Sequence, residues 1–385
     1  MHSSIRTASA VALALAVGAA ATVLAQRGTP AAAPAAASTS ADATKRIVAS
    51  AQAVVATLDA AGRAKVQFPF DGPQKTKWSN LPNGIFQREG LRLADLSATQ
   101  RAAVMSLLEA ALSGGGYQKV KAIMHGDEVL RLGDAGNGPG ARGQGQPGAG
   151  RGPGGGPPPD GGGRGRGRGP GGGGSVSFGE DQYYVAFVGA PSTTEPWILQ
   201  FGGHHLAINM TMGGSQATLT PSHTAAQPAT YTIEGRTVRP LGAENDKAFA
   251  LINALDNAQH SQAILNYRVA DLVLGPGQDG RTIQPEGVRA SALNAAQQSM
   301  LLELIREWAG IMNDAYAESR MAEIKTNLPQ TYFAWSGPTT NGSASYFRIQ
   351  GPTLVIEYAP QNGVDHIHTI YRDPTNDYGA KFARK

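Results

Sequence analysis

Five histidines fall in segments with the composition of β-strands, and imidazole is the side chain that most often binds metal ions in proteins. His366 and His368 are two residues apart in the segment 365–371. Alternate residues of a strand project from the same face, so these two imidazoles lie about 6–7 Å apart on one face. That spacing suits two ligands of one metal ion.

A second pair, His204 and His205, follows two glycines in the segment FGGHHLAINM. Successive side chains of a strand point to opposite faces, so His204 shares its face with Leu206 and His205 lies with small and polar residues. Zinc and copper accept three imidazole nitrogens, or two with a carboxylate. The sequence therefore predicts a zinc or copper site. Its candidate ligands are His204, His205, His366 and His368.

Two carboxylates follow the last histidine pair in the closing segment RDPTNDYG, and these are Asp373 and Asp377. A carboxylate next to a metal site fixes the tautomer of a ligating imidazole or accepts a proton from substrate. Asp373 and Asp377 are therefore the candidate catalytic residues.

A His-x-His pair is weak evidence by itself, and two other interpretations of the histidines stay open. In the first, the histidines are partly buried structural side chains, hydrogen-bonded to the backbone or to a neighbouring aspartate. In the second, they are acid–base or substrate-binding groups that bind no metal. Ser222 and His223 are adjacent, but no G-x-S-x-G turn surrounds the serine. The chain contains no phosphate loop, dinucleotide fingerprint or zincin motif.

Composition narrows the function further. The chain has 385 residues and no cysteine, which excludes disulfides, thiolate metal sites and cysteine nucleophiles. The net charge is +4, and the N-terminal 25 residues together with a glycine-rich stretch account for all of it. The remainder is close to neutral, so we predict no nucleic-acid partner.

The N-terminus has the features of a secretory signal peptide. Arg6 precedes an apolar run from Ala8 to Ala21, and small or aliphatic residues precede a cleavage position after Ala25. Residues 1–25 are therefore the predicted signal peptide and 26–44 an Ala/Pro-rich spacer. No later segment is apolar enough to span a membrane, so we expect a periplasmic or secreted protein without membrane contact after cleavage.

The rest of the chain contains a weak internal repeat. Residues 86–112 align without gaps to 283–309 with eight identities, at an offset of 197, and residues 183–208 align to 331–356 at an offset of 148. An insertion in the first copy explains the difference between the two offsets. We therefore predict one duplicated globular domain over 45–379, with one copy at 45–230 and the other at 240–379.

Each copy has a helical part followed by strands, so the predicted class is α+β with an internally duplicated helical-then-strand unit. Ser97 and Asn294 are predicted to cap equivalent helices, with Gly114–Gly116 ending the first of them. The insert is the stretch 134–174, which holds 21 of the 50 glycines. It has too few apolar residues to fold, and we predict that it is disordered.

At FGGHHLAIN and DHIHTIYRDPTNDYG, and at EGLRLADLSATQR, the chain resembles the exported bacterial proteins grouped as domain of unknown function 3500. The resemblance covers about 45–379 and leaves out the glycine-rich insert. It implies export and a single domain, and no established reaction comes with the family.

Three functions remain open at this point. The first is a metal-dependent hydrolase or oxidase that acts on a small molecule. The second is a periplasmic protein that binds a metal ion or a small molecule without turnover. The third is a structural component of the cell envelope. The sequence does not decide whether the protein is an enzyme.

Overall fold

The computed structural model describes residues 39–136 and 176–382. The predicted signal peptide, and most of the predicted spacer and insert, lie outside these residues. The described helices are α1 (Ser40–Ala56), α2 (Ala60–Val66), α3 (Ala98–Ala111), α4 (Gly114–Gly136), α5 (Gly242–Asn253), α6 (Asn257–Ala263), α7 (Ala295–Ala309) and α8 (Asp314–Asn327). None of these helices is both long and apolar enough to cross a membrane.

The strands are short and mostly antiparallel. They are β1 (Gln67–Phe68), β2 (Leu91–Arg92), β3 (Tyr184–Val188), β4 (Trp197–Gly202), β5 (Leu206–Gly213), β6 (Gln216–Thr218), β7 (Ser222–Ala226), β8 (Tyr231–Ile233), β9 (Arg236–Val238), β10 (Val288–Arg289), β11 (Tyr332–Ser336), β12 (Tyr346–Gly351), β13 (Leu354–Pro360) and β14 (Ile367–Arg372). Helices and a mixed sheet together confirm the α+β class.

The predicted helix caps are confirmed. The Ser97 side chain accepts a hydrogen bond from the Gln100 backbone in a capping box that starts α3, and Asn294 makes the same box at α7. The glycines at 114–116 differ from the prediction, because they form the first turn of α4 as well as following α3. The Ser113 hydroxyl caps this turn by accepting from the Gly116 N–H at 2.9 Å.

Twelve strands form one sheet, with the order β1-β3-β4-β5-β7-β14-β13-β12-β11-β10, while β2 pairs with β3 and β6 with β5. Strand β7 was not predicted from the sequence, yet it joins the two strand sets by pairing antiparallel with β14. This junction brings the end of the chain beside a segment that precedes it by about 145 residues in sequence.

The two faces of the sheet are covered differently. On one face the apolar side chains of β3–β5 and β11–β13 pack on the helices and form the main core. On the other face a smaller apolar cluster, which includes Trp78, Ala207 and Ile370, lies under irregular chain from 69–90 and 264–287. The helices of the main core therefore lie on one side, and the histidine-bearing face of the central strands lies mainly under the chain from 69–90 and 264–287.

Candidate metal centre

The register of three central strands places the candidate ligands on one face. His368 on β14 lies opposite Ala225 on β7, and the Ala225 N–H donates to the His205 carbonyl at 2.8 Å. His223 lies opposite Ala207 on one side and Ile370 on the other. Directly opposed residues of an antiparallel ladder project from the same face. His205, His223 and His368 therefore share the face that the loops cover.

His205, His366 and His368 converge on one point. One ligand nitrogen of each ring lies within 4.8 Å of those of the other two. The Nε2 atoms of His205 and His366 are 3.3 Å apart. His205 and His368 are buried, while His366 is partly exposed and forms the solvent side of the group. The prediction that distant imidazoles meet in the folded chain agrees with this arrangement.

The orientation of His205 is fixed by a carboxylate from α4. The Nδ1 atom of His205 lies 2.5 Å from Oδ1 of Asp127, and the Tyr183 hydroxyl donates to Oδ2 at 2.7 Å. Asp127 and His205 are each only 1% exposed. With Nδ1 held by the carboxylate, Nε2 points to His366 with its lone pair available, which is the arrangement found around metal-ligating histidines.

The backbone before His205 is held in place by an arginine. The Arg88 guanidinium donates to the carbonyls of Ser79 and Gly203 and to Oδ1 of Asn83. At Gly203 a Cβ atom would lie 2.9 Å from the Tyr183 ring, so only glycine lets the chain approach so closely. This turn sets the positions of His204 and His205, which lie immediately before β5.

The local environment keeps the His366 and His204 imidazoles neutral at pH 7. Burial and the neighbouring His368 lower the pKa of His366 to about 3. Burial and the neighbouring His205 lower the pKa of His204 to about 4. Burial would raise the pKa of Asp127, but the His205 and His204 imidazoles outweigh it and hold that pKa below its usual value. His366, His204 and Asp127 are thus held in the forms that bind metal ions, a neutral imidazole in the first two and a carboxylate in the third.

His368 has a polar neighbourhood of its own. Its Nδ1 atom lies 3.5 Å from Nδ2 of Asn80 and 3.5 Å from Oδ1 of Asp271. Asp271 is exposed, at 57% of its side-chain surface. A carboxylate at this position lies between the buried imidazoles and solvent.

His223 continues the row of imidazoles into the protein. Its ring centre is 5.5 Å from that of His368 and 6.4 Å from that of Trp78. It is fully buried, and neither ring nitrogen has a hydrogen-bond partner in the described parts of the chain. Burial, followed by the neighbouring His368, holds the pKa of His223 well below its usual value.

The geometry of the three converging rings fits a metal ion. Two ligands of a tetrahedral zinc ion, each bound at about 2.0 Å, are about 3.3 Å apart, which matches the 3.3 Å between the Nε2 atoms of His205 and His366. Ring centres on such an ion are about 5 Å apart. The three ring-centre separations here are 5.3, 4.6 and 6.3 Å. Buried His and Asp groups of this kind could hold a metal ion, and nothing in the geometry selects which one.

The two predicted catalytic carboxylates lie at the other end of β14. Asp373 forms an ion pair with Arg320 at 3.2 Å, and Asp377 accepts from Arg372 at 2.8 Å. Asp373 follows His368 by five residues of nearly extended chain, about 16 Å. Neither carboxylate has a hydrogen bond or ion pair with a histidine in the ranges that the structure describes. Their catalytic role stays a prediction, and the ion pairs favour a structural role.

Asp127 was missed by the sequence analysis. It follows Val120, Ile123 and Met124 at helical spacing, and all three are buried. A carboxylate on the apolar face of a helix needs a buried partner. The presence of an aspartate on the apolar face of α4 was therefore the feature of the sequence that could have pointed to Asp127.

The chain was also compared with known proteins. The model of a family described as "Protein of unknown function (DUF3500)" matches residues 40–380. No curated protein and no solved structure matches the chain.

Proposed function

The chain belongs to the DUF3500 family, whose description names no reaction, and we therefore propose a function from the histidine cluster: an exported, metal-dependent hydrolase or oxidase. His205, His366 and His368 bind the ion, and Asp127 orients His205. The observation that carries the proposal is the convergence of three imidazole nitrogens within 4.8 Å, one of these rings being held by a buried carboxylate.

Zinc and copper are the proposed ions, because imidazole nitrogens suit both. Three protein ligands leave a coordination position open, and a bound zinc ion lowers the pKa of water in that position to about 7. The role of the chain is to hold three imidazoles around one point and to keep the Nδ1 atom of His205 on the Asp127 side.

Asp271 is the carboxylate best placed to accept a proton near the cluster. It lies 3.5 Å from Nδ1 of His368 and is open to solvent. We therefore assign to Asp271 the proton-accepting role that the sequence suggested for Asp373 and Asp377. A proton taken up at Asp271 can pass directly to water.

A small-molecule substrate is the proposed partner. A narrow cleft borders the cluster on the same face of the sheet, and its lining includes Trp78, Arg88, Gln200, Ala207 and Asn209. Trp78 also contacts His223, and Arg88 holds the turn before His205. The lining is mostly apolar, and Gln200 and Asn209 add the few hydrogen-bonding groups that would orient a small molecule.

Export and duplication complete the proposal. Residues 1–25 keep the features of a signal peptide, and the proposed location is the periplasm or the extracellular space. The duplication is supported by two glycines in equivalent places. Gly90 and Gly287 have φ of +105° and +100°, and a Cβ there would lie 2.4 Å from the Val185 carbonyl oxygen and 2.1 Å from that of Phe333. Under this proposal the metal centre is composite, because His205 belongs to the first copy and the other two ligands to the second.

A metal-binding protein without turnover is the second candidate. His205 is only 1% exposed and His368 only 7% exposed. This favours the second candidate, because a closed shell of ligands leaves little room for substrate. Small anions distinguish the two candidates. Azide added to the copper-loaded protein shifts its visible spectrum only if a coordination position is open to solvent.

Elemental analysis of the full chain, expressed for export and purified without chelators, tests the proposal. We expect zinc or copper in the wild type and the loss of at least one equivalent in His366→Ala and in His368→Ala. His260→Ala, in α6 away from the cluster, is the matched control and should keep its metal. Hydrolysis of chromogenic esters by the zinc form, or oxygen uptake by the copper form, should fall at least 100-fold in His366→Ala. A wild type without metal, or variants that keep their full metal content, would overturn the proposal.

A further inference from the structure

A second group of ligand atoms lies next to the first and shares one residue with it. Asp127, His204 and His205 also bring their ligand atoms within 4.8 Å of one another. The two groups meet at His205, whose Nε2 faces His366 and whose Nδ1 faces Asp127. The two nitrogens of one imidazole therefore point into two separate candidate sites.

His204 has no role in the first group, and its environment calls for a ligand. Its side chain is only 10% exposed, its ring lies 3.6 Å from that of His205, and Phe178 packs on it at 4.9 Å. Its Nδ1 atom is buried without a hydrogen-bond partner among the described residues. A buried polar atom left in this state is uncommon in folded proteins, and a bound ion is one recognised explanation.

The spacing between His204 and Asp127 matches that of two metal ligands. Nδ1 of His204 lies 3.4 Å from Oδ1 of Asp127. This separation is long for a hydrogen bond, but it agrees with the roughly 3.3 Å between two ligands of one tetrahedral ion. On this evidence we propose that Asp127, His204 and Nδ1 of His205 bind a second divalent cation, zinc or copper, so that His205 bridges two ions. The proposal rests on the proposed function because the sites share His205.

Charge and protons balance in this arrangement. In the metal-free protein Nδ1 of His205 donates its proton to Oδ1 of Asp127, with the two atoms 2.5 Å apart. The second cation takes the place of that proton, which passes to solvent, and the N···O distance widens to about 3.3 Å. The two positive charges of the ion are then balanced by the Asp127 carboxylate and the His205 imidazolate.

Stoichiometry tests the second site separately from the first. The full chain is loaded with excess zinc, desalted and analysed. We expect two ions per chain in the wild type and in the control His260→Ala, and one in His204→Gln, which leaves the first group intact. His366→Ala should also keep one ion. A single ion in the wild type that His204→Gln retains, or two ions in both proteins, would overturn the second site while the proposed function stands. No ion in the wild type would overturn both.

Copper provides a readout that needs no variant. Two Cu²⁺ ions joined by one imidazolate are magnetically coupled, so the copper seen by electron paramagnetic resonance should be well below the total copper. Addition of the second equivalent should also release one proton more than the first in an unbuffered titration. A resonance signal that accounts for all of the copper, together with equal proton release at both steps, would contradict the bridge.

Discussion

Replacement of Asp127 by asparagine tests whether this carboxylate holds the histidine cluster together in the metal-free protein. Asp127 accepts from His205 on one oxygen and from the Tyr183 hydroxyl on the other, at 2.5 and 2.7 Å. An asparagine can accept only one of the two bonds. With its oxygen toward His205, its amide faces the Tyr183 hydroxyl, which is left without an acceptor. The loss of one hydrogen bond to a charged group costs about 1.5–3 kcal/mol. A buried donor left without an acceptor costs about 1–3 kcal/mol more.

Removal of a buried charge offsets part of this cost. We therefore expect Asp127→Asn to lower the free energy of unfolding by about 3 kcal/mol. The measurement is urea denaturation at pH 7 after removal of metal. Asp246→Asn is the matched control, because Asp246 pairs with Arg239 on the surface and exposed pairs contribute about 1 kcal/mol or less.

A double-mutant cycle identifies the mechanism. Tyr183→Phe removes the donor that faces the amide of the Asp127→Asn variant, so its cost should be smaller in that variant than in the wild type by about 1 kcal/mol or more. The argument fails if Asp127→Asn costs no more than Asp246→Asn, or if the costs of the Asp127 and Tyr183 substitutions simply add.

Three further predictions concern neighbouring groups. His223→Leu should be neutral or stabilising at pH 7, since it removes two buried nitrogens that lack partners; urea denaturation measures this, and a loss above about 2 kcal/mol would contradict it. The pKa of His223 is lowered by folding, so the unfolded chain binds the extra proton, and wild-type stability should fall as the pH drops below about 6.5. The His223→Leu variant should lack this part of the pH dependence. Between pH 7 and pH 5 the free energy of unfolding of the wild type should therefore fall by about 2 kcal/mol relative to that of the variant. Asp377→Asn should destabilise the fold by about 1.5–3 kcal/mol, because it removes one charged acceptor from the buried Arg372, which keeps its ion pair with Asp279. The metal content should be unchanged; lost metal with normal stability would restore the role expected from the sequence.

The local pattern of the chain determined its elements. Ser97 and Asn294 start equivalent helices because a side-chain oxygen followed three residues later by glutamine satisfies the first free N–H groups, wherever the helix lies in the fold. Strand alternation likewise placed His366 and His368 on one face, because the side-chain period of a strand is fixed by its own backbone. These properties depend on neighbours in sequence, and the sequence analysis predicted them.

The composition of the site depended on tertiary structure. The pairing of β7 with β14 brings His205 beside His366, and the choice of partner strand depends on packing across the whole sheet. Asp127 lies in the site because α4 passes close to the start of β5. Asp373 lies outside it because β14 extends away from the cluster toward Arg320. The histidines could be named from the sequence because their chemistry is a property of the residue type. Their partners could not, because hydrogen bonds and ion pairs between residues 78 or more positions apart exist only after the chain has folded.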